Sequence, residues 1–164
     1  MTELSELLDE TDPIGSVFRQ LIGLPARNVQ KGQGSMLIFK FGAPHGEWCL
    51  WIYCCHWRYA DGDIDQSTDE STDMAIIAAT RSMDGQRLTS VKIDPASGRS
   101  IFRFDQGATL DTWPYNAADN DEQWMLYTPS DHVLTFRADE HYSWTAADQS
   151  PDEEHWLPLP RTGA

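Results

Sequence analysis

Between Glu47 and Tyr59 the chain carries apolar side chains at nearly every position. Alternate residues of an extended strand point to opposite faces. Trp48, Leu50, Ile52 and Cys54 therefore fall on one side, and Cys49, Trp51, Tyr53, Cys55 and Trp57 on the other. A strand that is apolar on both faces must be covered on both, so the pattern predicts one continuous central strand over 47–59.

The neighbouring segments supply partners for such a strand. Met36 to Phe41 alternates, with Leu37, Phe39 and Phe41 on one face, and the turn chemistry of residues 42–46 makes a hairpin with the strand that follows. Beyond residue 88 the extended segments are short and their polar turns recur. Leu88–Ile93 and Ser100–Phe104 flank Asp94-Pro95-Ala96-Ser97-Gly98, and 109–112, 123–127, 132–137 and 141–144 continue the pattern.

Two helices are expected. Asp12 caps and Pro13 opens the first, with Ile14, Val17, Phe18 and Leu21 as its apolar stripe and Gly23 as its stop; Leu4, Leu7 and Leu8 add a short helical turn before it. The second covers roughly 68–83, with Ser67 and Glu70 at capping-box spacing, Met74, Ile77, Ala78 and Arg81 along one side, and Ala75, Ile76 and Ala79 broadening the apolar surface; a strand through 75–80 is the alternative. The resulting expectation is an α+β fold, with a mostly antiparallel, strongly curved β-sheet and two packed helices. It forms one domain over 1–164, with a surface-docked or flexible tail at 148–164.

The formal net charge of −14 is distributed unevenly. Residues 61–73 hold six carboxylates and no Lys or Arg, and residues 119–155 hold ten against Arg137 alone. Phosphate recognition needs compensating basic surface, so nucleic acid is not an expected partner, whereas a basic protein is. The sequence shows no secretory prefix and no apolar run of membrane-spanning length, which makes no membrane partner and a cytoplasmic location the expectation. The odd number of cysteines, Cys49, Cys54 and Cys55, also disfavours a disulfide framework.

Candidate chemistry is sparse. Asp61, Asp63, Asp65 and Asp69 imitate a calcium loop, but Gln66 stands where glycine is needed and Thr72 where the bidentate glutamate is needed. His45, Cys49, Cys54, Cys55 and His56 are suitable zinc ligands by type, yet strand alternation turns Cys54 away from both Cys49 and Cys55. His132, His141 and His155 sit in no catalytic motif, and Asp121-Glu122 are adjacent rather than convergent. No metal site and no cofactor are therefore expected. Trp113-Pro114-Tyr115-Asn116 is a turn-like aromatic segment beside the acids at 119–122, a composition suited to a protein interface.

Three segments, GLPARNVQKGQGSMLIFKFG at 23–42, GEWCLWIYCCHWRY at 46–59 and GRSIFRFDQGATL at 98–110, resemble parts of uncharacterised small bacterial β-rich domains and of immunity proteins associated with polymorphic toxins. The resemblance implies a cytoplasmic protein that blocks a cognate toxin. With the charge pattern, it makes an acidic protein-binding module the expected function. Asp61, Asp63, Asp65 and Asp69 would form one contact patch, and Trp113, Tyr115, Asp119, Asp121 and Glu122 another, facing a basic toxin or regulatory protein. Non-enzymatic action is favoured; the alternatives are a small enzyme with an active site assembled from dispersed residues and a generic regulatory binding module.

Overall fold

The computed structural model describes residues 8–9, 11–43, 46–116, 118–147 and 155–160. Its secondary structure begins with helix α1 (Pro13–Phe18) and the strands β1 (Ala26–Lys31), β2 (Leu37–Ala43) and β3 (Gly46–Ile52). Next come β4 (His56–Asp61), β5 (Ile64–Thr68), helix α2 (Asp73–Met83), β6 (Leu88–Asp94), β7 (Arg99–Phe104) and β8 (Ala108–Trp113). The last strands are β9 (Glu122–Tyr127), β10 (His132–Arg137), β11 (His141–Ala146) and the two-residue β12 (Leu157–Pro158).

These strands build two antiparallel sheets, not one strongly curved sheet. The first has the order β1-β2-β3-β9-β10-β11-β12 and the second β5-β4-β8-β7-β6, and neither is closed or strongly curved. The reason lies in the aromatic run. The expected continuous strand over 47–59 is two strands, β3 in the first sheet and β4 in the second, joined through Tyr53, Cys54 and Cys55. Trp48, Leu50 and Ile52 point into the core from β3, whereas Trp57 and Tyr59 do so from β4, so the inward parity changes at the join. A run that looked apolar on both faces is apolar on one face that switches phase.

A second crossing lies beside the first. After β8 the chain passes through residues 114–121 into β9, and the backbone N–H groups of Tyr53 and Cys54 donate to the carbonyls of Gln123 and Glu122 at 2.8 and 3.0 Å. The Gln123 side chain is fully buried at this seam and donates to the carbonyls of Gly98 and Arg137 at 3.0 and 3.2 Å, while the Cys55 thiol donates to the Gln123 carbonyl. Both sheets are thus tied together by backbone and side-chain bonds at one end.

The inner faces meet in one core. Phe39 stacks on Phe104 with centroids 6.0 Å apart, and Trp124 packs edge-on against Phe18 and Phe102 at 5.4 and 6.1 Å. The buried indole of Trp124 donates to Ser100 Oγ at 3.1 Å, and that of Trp57 donates to the Ser35 carbonyl at 2.8 Å.

Helix α1 starts as its sequence predicts: the Asp12 carboxylate accepts from Gly15 N at 3.1 Å, and Ile14, Val17 and Phe18 are buried. The Leu4 and Leu7 positions of the preceding segment lie outside the described residues. Helix α2 begins five residues later than expected, because residues 64–68 form β5. Thr72, not Ser67, caps it, accepting from Ala75 N at 3.2 Å. Its buried side is Ile76, Ala79, Thr80 and Met83, so the buried stripe runs through Ile76 and Ala79, residues expected only to broaden the apolar surface, while Met74 and Ile77 of the expected stripe are 83% and 39% exposed. At the other end of the chain, Leu157 and Pro158 pair with Tyr142 and His141, and Arg137 covers the Trp156 ring at 4.3 Å.

Candidate functional site

The outer face of the second sheet is where ionisable side chains converge. Residues 56, 58 and 60 of β4 point outward and stand opposite Trp113, Asp111 and Thr109 of β8. On the other side of β4, a two-residue turn at Gly62-Asp63 returns the chain as β5, with one register shift between Tyr59 and Ala60. The shift places Asp69 and Glu70 level with the start of β4. Antiparallel pairing thereby joins residues thirteen and more positions apart in sequence.

His56 is the centre of this arrangement. Its Nδ1 lies 2.9 Å from Asp69 Oδ2, and the other Asp69 oxygen accepts from Trp57 N at 3.0 Å. The Asp69 side chain is only 8% exposed, while the His56 side chain is 32% exposed. A carboxylate only accepts, so this contact places the ring proton on Nδ1 and leaves Nε2 as the basic nitrogen. Aromatic groups fix the ring plane: Trp113 lies 5.7 Å away at 31°, and Tyr115 meets it edge-on at 4.6 Å. The carboxylate holds the ring from one side and the two aromatic rings pack against it.

Electrostatics around the ring keep the other candidate groups protonated. Burial raises the Tyr115 hydroxyl pKa, reinforced by Cys55, Asp69, Cys54 and Asp121. Burial also raises the Cys54 thiol, with Asp121 and Glu122 adding to the effect. Cys49 and Cys55 are shifted upward too, chiefly by burial. A nucleophilic thiolate needs the opposite environment. Tyr115 remains a neutral donor, and His56 Nε2 carries the lone pair left free by the contact with Asp69.

The sequence-predicted contact residues divide between two places. Asp69, Trp113 and Tyr115 gather at His56, with Asp121 close enough to raise Tyr115 and with Glu122 near Cys54. Asp61, Asp63 and Asp65 lie at the far end of the β4–β5 hairpin. Asp63 and Asp65 line a cavity of about 200 Å³ with Arg58, Arg99 and Arg103, and Asp65 pairs with Arg58 at 3.8 Å. Asp111, with its side chain 7% exposed, takes Arg99 in a bidentate pair and Arg58 at 3.1 Å. Asp119 sits in the exposed turn after Tyr115, its N–H donating to the Asn116 carbonyl. The first expected patch is therefore split, and one of its members joins the second.

Sequence reasoning weighed His56 only as a zinc ligand beside cysteines and Glu70 only as a helix cap. The available signal was the hairpin: counting back from the Gly62-Asp63 turn brings Asp69 and Glu70 beside His56. The zinc candidate His45 lies outside the described residues. No helix among the described residues is long and apolar enough to cross a membrane. No protein-family profile, curated protein or solved structure matches the chain.

Proposed function

We propose that the chain is a small enzyme whose active site is assembled from dispersed residues, with His56 as general base and Asp69 as the residue that positions it. The observation that carries this reading is the 2.9 Å contact between His56 Nδ1 and a largely buried carboxylate whose second oxygen is held by a backbone N–H. Such a carboxylate orients the ring, selects the tautomer and stabilises the imidazolium formed in the reaction. The raised thiol pKa values argue against a cysteine nucleophile, so the reaction class that fits is proton abstraction from water in a hydrolytic transfer. Tyr115, kept protonated beside the ring, would donate to the developing charge or the leaving group.

The test is turnover of a panel of chromogenic carboxylic and phosphoric esters by wild-type protein and His56→Gln. Removing a general base should lower the rate by about 10²–10⁴-fold. Equal turnover by the two proteins, or no turnover above buffer across the panel by the wild type, would count against the proposal.

A docking role has its own supporting observation. Ile64 at the hairpin tip is 67% exposed among Asp61, Asp63 and Asp65, and Tyr115 is 46% exposed near Asp119 and Asp121. Apolar anchors rimmed by acids suit a basic cytoplasmic partner such as a cognate toxin or a regulatory protein. Such a partner would span the length of β4, about 16 Å at roughly 3.3 Å per residue. If this surface captures a basic partner, the triple substitution Asp61→Asn, Asp63→Asn, Asp65→Asn should slow its association and flatten the salt dependence. Capture with unchanged rate and salt response would remove the hairpin tip from the interface.

A further inference from the structure

We infer that His56, Asp69 and Glu70 form a binding site for one divalent transition-metal ion. Each residue offers one ligand atom, and the three atoms lie within 4.8 Å of one another. This site goes beyond the acid–base reading: it uses the same residues in a different state, in which the ion replaces the Nδ1 proton and His56 is a ligand rather than a base, and cation binding does not require turnover.

Three features make a cation the fitting occupant. The first is spacing. Two adjacent ligands on an octahedral metal with bonds of about 2.1 Å sit roughly 3.0 Å apart, and His56 Nδ1 and Asp69 Oδ2 are separated by 2.9 Å. An ion would displace the proton now shared by the two atoms and sit about 1.5 Å to the side of the line that joins them. The second is charge: one neutral imidazole and two carboxylates balance a divalent ion, and Asp121 adds further negative potential around Tyr115 and Cys54. The third is rigidity where rigidity is needed. Asp69 is fixed by Trp57 N and the His56 ring is packed against Trp113 and Tyr115, whereas Glu70 is exposed, so its carboxylate can close the remaining distance.

The donor set of one nitrogen and two oxygens selects the chemical class. Imidazole with carboxylates suits zinc, manganese and cobalt, whereas calcium calls for six to eight oxygen ligands. On binding, the ring proton moves from Nδ1 to Nε2 through solvent, and the vacated Nδ1 lone pair ligates the ion. Three protein ligands leave coordination positions for water, the arrangement through which a bound ion generates a nucleophile at neutral pH.

The sequence weighed zinc only around the cysteines of the aromatic run, where strand alternation weakens it. This cluster uses none of the cysteines, and its other two ligands arrive through the β4–β5 turn.

The deciding experiment is a titration of chelator-treated, ¹⁵N-labelled protein with Mn²⁺, read as paramagnetic broadening of backbone amide signals. The site predicts that His56, Trp57, Asp69 and Glu70 broaden first, up to one equivalent, while Asp61, Asp63 and Asp65 persist. Glu70→Gln, an exposed change, should weaken Mn²⁺ binding at least tenfold with the rest of the spectrum unchanged; His56→Gln should do the same. The inference is overturned if no selective broadening occurs, if the hairpin-tip amides broaden together with residues 56–57 and 69–70, or if both variants bind like the wild type. Because binding is read without substrate, such a failure leaves the metal-free base standing. Selective binding without ester turnover would instead sink the proposed activity and retain the site.

Discussion

Trp124→Ala is expected to lower unfolding stability by about 3–5 kcal/mol, a large share of the roughly 5–15 kcal/mol that holds an ordinary domain folded. The size follows from where the indole sits. It comes from the first sheet, meets Phe102 of the second and Phe18 of α1, and lies 5.5 Å from Phe136 on the next strand. Deleting it opens a cavity between both sheets and the helix that no flexible neighbour fills. A second loss comes from Ser100 Oγ, which is fully buried and accepts the indole N–H. Trp124→Phe separates the two: it keeps an aromatic ring but removes the donor, at a cost of about 1–3 kcal/mol. Adding Ser100→Ala to that variant should restore part of the loss, since both polar partners are then gone. Urea unfolding of the four proteins reads these differences directly, and a Trp124→Ala variant within about 1 kcal/mol of wild type would contradict this view of the core.

Changes at Asp69 should separate stability from activity. Asp69→Ala removes the acceptor of Trp57 N–H, whose residue is 1% exposed, and an unpaired buried donor costs about 1–3 kcal/mol. Asp69→Asn keeps a carbonyl oxygen for that N–H, so it should unfold close to wild type. Its amide, however, donates toward His56 Nδ1 and forces the ring proton onto Nε2, removing the base. The expected result is a rate loss of about 10²-fold or more in both variants, with a stability loss only in the alanine variant. Equal destabilisation of the two would mean that the carboxylate serves the fold alone.

Most strands were legible because inward residues alternate cleanly, as Leu37, Phe39 and Phe41 do on β2, and because Asp94–Gly98 marks an unambiguous turn. Helix α1 was legible for a similar reason: its cap and its proline occupy the positions that their chemistry favours. The division into two sheets was not. Apolar parity changes at Tyr53–Cys55, and a phase switch within an unbroken apolar run has the same pattern as a strand buried on both faces. β5 was hidden by its composition. Ile64–Thr68 is mostly exposed at an edge, so its polar residues read as loop, and that error moved the start of α2 forward.

The candidate site was half legible. Asp69, Trp113 and Tyr115 were singled out from local composition, but each was assigned to a surface patch by its position along the chain. What gathers them is non-local: the register of β4 with β8 sets Trp113 against His56, and the hairpin with its bulge brings Asp69 alongside. No single segment contains the dyad.

The most direct test of the His56–Asp69 site is the tautomer of His56 in chelator-treated protein, measured from imidazole ¹⁵N spectra at a pH where the ring is neutral. The ring proton is expected on Nδ1 in the wild type and on Nε2 in Asp69→Asn. A wild-type ring protonated on Nε2, or a tautomer indifferent to the Asp69 substitution, would contradict it.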